Sequence, residues 1–340
     1  MKKILFVFLM VTSLVIAQDK QDYSPKIFGY VRGWYQSDFS KNQSEFLAKM
    51  ARLGVKGNVN EFTGCKVLVD FVRLGKMQTS STTINGVTVL TAASATFSDV
   101  LLDAEAFINP SKNLSISVGQ FKVPFGTDNL RSGADIDFVN RPLLTSVSPA
   151  LRDVGAMGTY NFKEALPLEL KAGLFNGAGQ NKSENDKTTN YSLRAVTQPI
   201  SFLTLSANYY GGQALGADLS IFDFGADVKY GSIFLSGEFA QRNTSSSALD
   251  ITSNSFFVYA LYDMNFKDLF LTHVIPAVRY ENYDLNTDII DDEIIRLTTG
   301  LTFEFAKLNF AHFRINYELF DYKNGNANPN KLIFELQTRF

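Results

Sequence analysis

The sequence predicts an all-β fold, a 16-stranded antiparallel transmembrane β-barrel, from three observations. Apolar and polar residues alternate with period two along most of the chain. The links between these segments alternate between short and long. The ends read as an export leader and an amphipathic strand closing on an aromatic residue.

At the N-terminus, Lys2 and Lys3 precede an apolar run from Ile4 to Ile16 that only Thr12 and Ser13 interrupt, and Val15-Ile16-Ala17 supplies small-residue cleavage chemistry. A membrane-spanning helix needs about 20 apolar residues, so residues 1–17 read as a cleaved signal peptide and 18–340 as the barrel. A mean hydropathy of -0.03 looks soluble. Yet 30 Phe and 14 Tyr in a chain without long apolar runs suit a barrel, where only alternate residues meet lipid. A secreted soluble β-protein shares this composition. Cys65 is the only cysteine, which excludes a disulfide scaffold. A net charge of -2, about -4 without the two leader lysines, gives no reason to expect a nucleic-acid partner.

Alternation marks half-buried strands at 27–35, 45–58, 64–74, 100–108, 114–122, 154–162, 168–176, 190–198, 202–210, 221–230, 232–242, 255–263, 274–283, 294–304, 311–319 and 331–340. In one of them Phe313, Ile315, Tyr317 and Leu319 oppose Arg314, Asn316 and Glu318; in another Leu47, Ala51, Leu53 and Val55 oppose Arg52, Gly54 and Lys56. Short links follow even strands, as at 60–63 and 109–113, and longer polar ones follow odd strands, as at 177–189, 243–254, 284–293 and 321–330. Tight turns on one side and long loops on the other are the habit of outer-membrane barrels. The link at 264–273 is an exception, long for a tight turn. Two loops exceed the rest. Residues 75–99 read as an exposed loop with a small hairpin at Asn85-Gly86, and 127–153 is long enough to be functional. Gly211-Gly212 and Gly177 to Gly179 read as turn residues at strand ends.

The last strand sets Leu332, Phe334, Leu336, Thr338 and Phe340 against Ile333, Glu335, Gln337 and Arg339. A terminal aromatic of this kind resembles the signal read by the outer-membrane assembly machinery, which makes that machinery an expected partner through Phe340.

The motif Gly119-Gln120-Phe121-Lys122-Val123-Pro124-Phe125-Gly126 resembles the phosphate-selective porin O/P family. Ala51 to Gly57, Asp103-Ala104, Arg152 to Gly155, Phe175 to Gly179 and Arg279-Tyr280-Glu281 match it in kind and order. The resemblance implies a 16-stranded barrel in the bacterial outer membrane, usually a homotrimer in contact with outer-membrane lipid. It also implies an inward-folded third outer loop and a basic lumen for anions, hence ion transport. The pore constriction would carry Lys122, Arg131, Arg141 and Arg152, with Arg52, Lys56, Arg194, Arg279, Arg296 and Arg314 lining the lumen.

Charge counts do not by themselves favour anions. The polar faces carry about a dozen bases and about a dozen acids, whereas a selective lumen wants an excess of one sign. In the long loop Asp128, Asp135, Asp137 and Asp153 interleave with the arginines. Two readings stand: the arginines contact solute anions, or the charges pair and hold the loop to the wall, with Arg152-Asp153 a structural pair.

Enzyme chemistry finds no support. His273 and His312 are too few for a histidine metal site or a triad. The Gly-x-Ser-x-Gly elbow is absent. The acidic run Asp288 to Glu293 lacks the glycine turn of a calcium loop and reads as a solvated loop. No catalytic residue, cofactor or metal is expected. The leading expectation is passive diffusion of small hydrophilic solutes or anions through a water-filled pore; the alternative is a barrel with a closed lumen acting in surface binding or structure.

Overall fold

A computed structural model describes residues 23–75, 79–84, 87–92, 100–162, 167–183, 188–214, 216–247, 249–266, 270–305, 310–326 and 328–340. The expected signal peptide lies outside the described residues. Sixteen strands follow one another: β1 (Lys26–Asp38), β2 (Gln43–Asn58), β3 (Thr63–Asp70), β4 (Leu101–Ile108), β5 (Leu114–Lys122), β6 (Arg152–Asn161), β7 (Leu168–Phe175), β8 (Asn190–Ile200), β9 (Leu203–Ala214), β10 (Ala217–Tyr230), β11 (Ile233–Ser246), β12 (Leu249–Tyr262), β13 (Leu271–Asp284), β14 (Ile294–Phe305), β15 (Ala311–Tyr322) and β16 (Lys331–Arg339). Each pairs antiparallel with its neighbours in sequence. The first and last pair as well, from Tyr30↔Arg339 to Asp38↔Lys331. This is a closed 16-stranded barrel with no free edge, so every strand finds its backbone partners within the sheet.

The burial pattern is inverted relative to a soluble sandwich. Along β15, His312, Arg314, Asn316 and Glu318 are buried while Leu319 is exposed. In β10, Asp223 is 0% exposed and its neighbour Phe224 57%. One apolar face therefore looks outward all round, and the polar residues cover one another on the other face. That is the solution for a sheet whose outer solvent is lipid.

The strands differ from the sequence reading at several points. The third ends at Asp70 rather than 74, because Phe71–Gly75 winds into a 3-10 turn. Residues 243–254 form no long loop: β11 and β12 keep pairing out to Ser246↔Leu249. Ser and Thr on both faces hide such a strand from a hydrophobic pattern, because backbone bonds alone hold it outside the bilayer. The link at 264–273 shrinks in the same way, since Met264–Asn265 pairs with Val274 and His273 of β13. In β2, Trp34 faces Leu47 while Arg32 faces Met50, so one residue more stands on β2 than on β1. This bulge turns Leu47 to the opposite face from Ala51 and Leu53, where it packs on Trp34, Val139 and Ile333.

Gly211 and Gly212 lie within β9, not at a turn. A Cβ on Gly212 would stand 1.9 Å from the Asn190 side-chain oxygen, so close approach is what asks for glycine there. In the 71–100 link, Thr79–Ile84 and Val87–Ala92 pair as a hairpin; the turn residues Asn85 and Gly86 lie outside the described residues.

Candidate functional site

Between β5 and β6 runs the segment 123–151, and its bonds go to the polar faces of strands around most of the wall. Gly126, at φ 72, opens a helical turn over Thr127–Leu130. The amides of Thr127 and Asp128 donate to Glu238 of β11 at 2.8 and 3.2 Å. Ser192 of β8 donates to the Pro124 carbonyl at 2.9 Å. Beyond the turn the wall supplies mainly arginines. Arg32 donates to the carbonyls of Gly133 (3.0 Å) and Val139 (2.9 Å), and Arg314 to Ile136 (3.0 Å). Arg279 donates to Asn140 (3.1 Å) and Arg296 to Arg141 (2.6 Å). Gln337 donates to the Ala134 carbonyl, and Asn316 and Glu281 accept the amides of Val139 and Leu143. A loop without its own ladder must place its backbone groups somewhere, and here the barrel's polar face takes them.

The wall arginines are in turn neutralised by wall carboxylates. Glu335 accepts from Arg32 Nε (2.6 Å), Trp34 Nε1 (2.6 Å) and Arg314 Nη1 (3.2 Å). Glu281 stands between Arg279 and Arg296, and Arg279 stacks over Phe138 of the segment at 4.4 Å. Within the segment Arg141 pairs with Asp128 at 3.0 Å, and Arg131 with Asp137. Burial opposes the Asp137 charge, but Arg131 and the Tyr259 hydroxyl hold its carboxyl below the usual carboxylate range.

On the β1–β6 side the segment leaves open space. A chamber of about 430 Å³ lies between Leu130 and Ser132 to Asp135 on one side and the wall on the other. Five cationic side chains line it, Arg52, Lys66, Lys122, Arg152 and Arg339, against two carboxylates, Asp103 and Asp135. Asp103 is shared by Lys66 (2.7 Å) and Arg152 (2.6 Å). Arg52 bonds Asp70 at 3.0 Å and the Tyr30 hydroxyl at 2.8 Å, and Arg339 pairs with Asp135. Lys122 donates to three carbonyls, those of Asn129 (3.0 Å), Leu130 (3.1 Å) and Arg131 (2.5 Å). Beyond the segment a smaller cavity, about 220 Å³, is lined by Arg131 and Lys229 with Asp137 and Asp263, two charges of each sign.

Of the residues singled out in the sequence, Lys122, Arg152 and Arg52 therefore meet on one chamber. Arg131 and Arg141 bind the segment to itself and, through Tyr259, to the wall. Arg279, Arg296 and Arg314 tether it from the far side. Arg194 bonds Asn208 at 2.6 Å on β8–β9, away from the chamber. Lys56 is exposed, 5.7 Å from the Phe107 ring. Arg152 pairs with Asp103 and not with Asp153, which accepts the amides of Val154 and Gly177 instead. Adjacent strand residues point to opposite faces, which separates a sequence-adjacent pair. Arg32 joins the tethering arginines without any motif to mark it; its place in the alternation Tyr30, Arg32, Trp34 on β1 is the signal that the sequence carries.

The sequence profile of one family, described as phosphate-selective porin O and P, matches residues 31–214, from β1 through β9. No curated protein sequence matches the chain. Among solved structures, the chain is similar to the loop L8 deletion mutant of OmpT from Vibrio cholerae, with a TM-score of 0.64 at 14% identity over 93% of this chain and 99% of that one. It is similar also to the outer membrane channel DcaP of Acinetobacter baumannii (TM-score 0.62, 14% identity, 96% of this chain and 100% of that one). An anion-selective porin from Comamonas acidovorans gives 0.63 at 13% identity, over 93% and 99%. At such identities the likeness is one of fold.

Proposed function

The chain belongs to the phosphate-selective porin O and P family, and from that premise we propose that its pore favours anions and runs through the chamber beside the segment 123–151. The protein is an outer-membrane channel for small solutes. The observation that carries it is the sign of the chamber lining, five cations to two carboxylates. A local excess in a low-dielectric passage concentrates counter-ions even where the whole lumen is balanced. In this reading Lys122, Arg152, Arg52 and Lys66 meet the solute. Arg131, Arg141, Arg279, Arg296 and Arg314 keep the folded-in segment on the wall, so that it narrows the lumen on one side only.

The polar lining serves diffusion. Residues 1–17 act in this reading as a cleaved export signal. Phe340, whose backbone bonds that of Gly29 in both directions at 3.0 and 3.1 Å, is read by the assembly machinery. Three chains associate in the lipid, a reading supported by the trimer form in which OmpT of Vibrio cholerae is solved. Single-channel recording on refolded protein in planar bilayers tests the central claim. A stepwise current whose reversal potential in a KCl gradient lies on the chloride side is the expected result. A cation-selective potential overturns the preference, and silence in every salt favours the closed-lumen barrel instead.

A further inference from the structure

The chamber is not lined by charge alone. Phe28, Tyr30, Leu68, Leu130 and Phe310 face the same 430 Å³. Two of its guanidinium groups lie over rings: Arg339 is 5.5 Å from the Phe310 centroid and Arg52 is 5.6 Å from that of Tyr30. Phe28 itself is held on the polar face, its ring occupying the space where a side chain on Gly54 would stand.

Its cations are also each engaged by an acceptor of the protein. An inorganic phosphate that sheds water wants several N–H groups at once, best offered by a planar arginine fork. Here Arg152 and Lys66 converge on Asp103, Arg52 on Asp70, and Arg339 on Asp135. Lys122 has three protons and three backbone carbonyls in bonding range. Those pairs leave a net positive field, outer N–H groups of the Arg52 and Arg152 forks, and a lining that is as much aromatic and aliphatic as charged. The space falls within the roughly 300–1,000 Å³ of small-molecule sites, far more than a bare oxyanion fills.

We infer that the chamber favours amphipathic organic anions, a flat aromatic carboxylate ahead of inorganic phosphate. The carboxylate lies among Lys66, Lys122 and Arg152, and the ring lies against Phe28 and Phe310 and the guanidinium faces of Arg52 and Arg339. The inference rests on the pore reading above and narrows its solute class.

The test is a salt series on the purified full-length protein in planar bilayers, with sodium benzoate, sodium acetate and sodium phosphate as the probes. Current carried by benzoate is expected to saturate at about a fivefold lower concentration than current carried by acetate or phosphate, the scale of one aromatic–cation contact. Phe28→Leu and Phe310→Leu are expected to raise the benzoate half-saturation toward that of acetate. Their KCl conductance reports that they have folded, and the wild-type series decides without them if they have not. Equal half-saturation for benzoate and acetate, or the lowest value for phosphate, in a channel that remains anion-selective in KCl overturns this inference alone. Cation selectivity or no current in KCl overturns the pore reading, and this inference with it.

Discussion

Arg32 and Glu335 meet across the seam where the first strand closes on the last, the guanidinium Nε 2.6 Å from the carboxylate and both side chains fully buried. The pair joins two ends of the chain 303 residues apart. The same guanidinium also holds the carbonyls of Gly133 and Val139, so barrel closure and segment position share one residue. Removing one member of a buried pair leaves the other uncompensated, at a cost of about 3–5 kcal/mol. Glu335→Gln is therefore expected to lower the urea midpoint of unfolding strongly, and Arg32→Met to do so while also raising open-channel noise. Unchanged noise in a folded Arg32→Met variant would contradict the tethering role.

The pairing of Asp137 with Arg131 gives the segment a defined response to acid. Burial alone would raise this carboxyl, but Arg131 and Tyr259 hold it below its usual range. A carboxyl depressed in the folded state stabilises above its unfolded pKa, about 3.9, and loses that contribution as pH falls through the folded value. Open-channel noise is thus expected to stay flat from pH 8 to 5 and to rise only below about pH 4. Asp137→Asn should show the acid behaviour already at pH 7. A wild-type transition between pH 6 and 7 would point to another group.

Selectivity should follow the chamber and not the lumen as a whole. Lys66→Gln removes one of the two cations sharing Asp103, and Lys122→Gln removes the cation held by carbonyls. Each is expected to lower the chloride-to-potassium permeability ratio by about twofold, the scale of one partly screened charge. Lys229→Gln, on the balanced cavity beyond the segment, serves as the control and should leave the reversal potential in place. A shift as large for Lys229 as for Lys66 would put the ion path elsewhere.

Barrel and face assignment were legible because lipid on one side and water on the other force a period of two, and sixteen segments kept it. What escaped the pattern lacked that constraint. The outer reach of β11 and β12, Ser245↔Asp250 and Ser246↔Leu249, is held by backbone bonds that any polar sequence can make. The bulge in β2 shifts faces by one residue with no mark in composition. Partner choice was invisible for a different reason. Arg152 finds Asp103, 49 residues away, only once the register of β3 to β6 is set. The near-even total of charges hid a chamber with an excess of one sign for the same reason, since Arg52, Lys66, Lys122 and Arg339 come from four strands.

One glycine of the motif that carried the family resemblance has a testable structural duty. Gly119 has φ +117, and a Cβ there would lie 2.1 Å from the Ala104 carbonyl oxygen of β4. Backbone rather than a flexible side chain blocks the position, so the neighbour cannot swing away. Side chains rarely adopt such a φ, and strained conformations of this kind cost about 1–3 kcal/mol before the clash is counted. Gly119→Ala is expected to lower the urea midpoint of the folded barrel and to reduce the yield of refolding. Gly158 of β6 is the matched control: a Cβ there meets nothing within 4 Å, so Gly158→Ala should stay within about 0.5 kcal/mol of wild type. Equal effects from the two substitutions would mean that β4 and β5 are not held at this close approach.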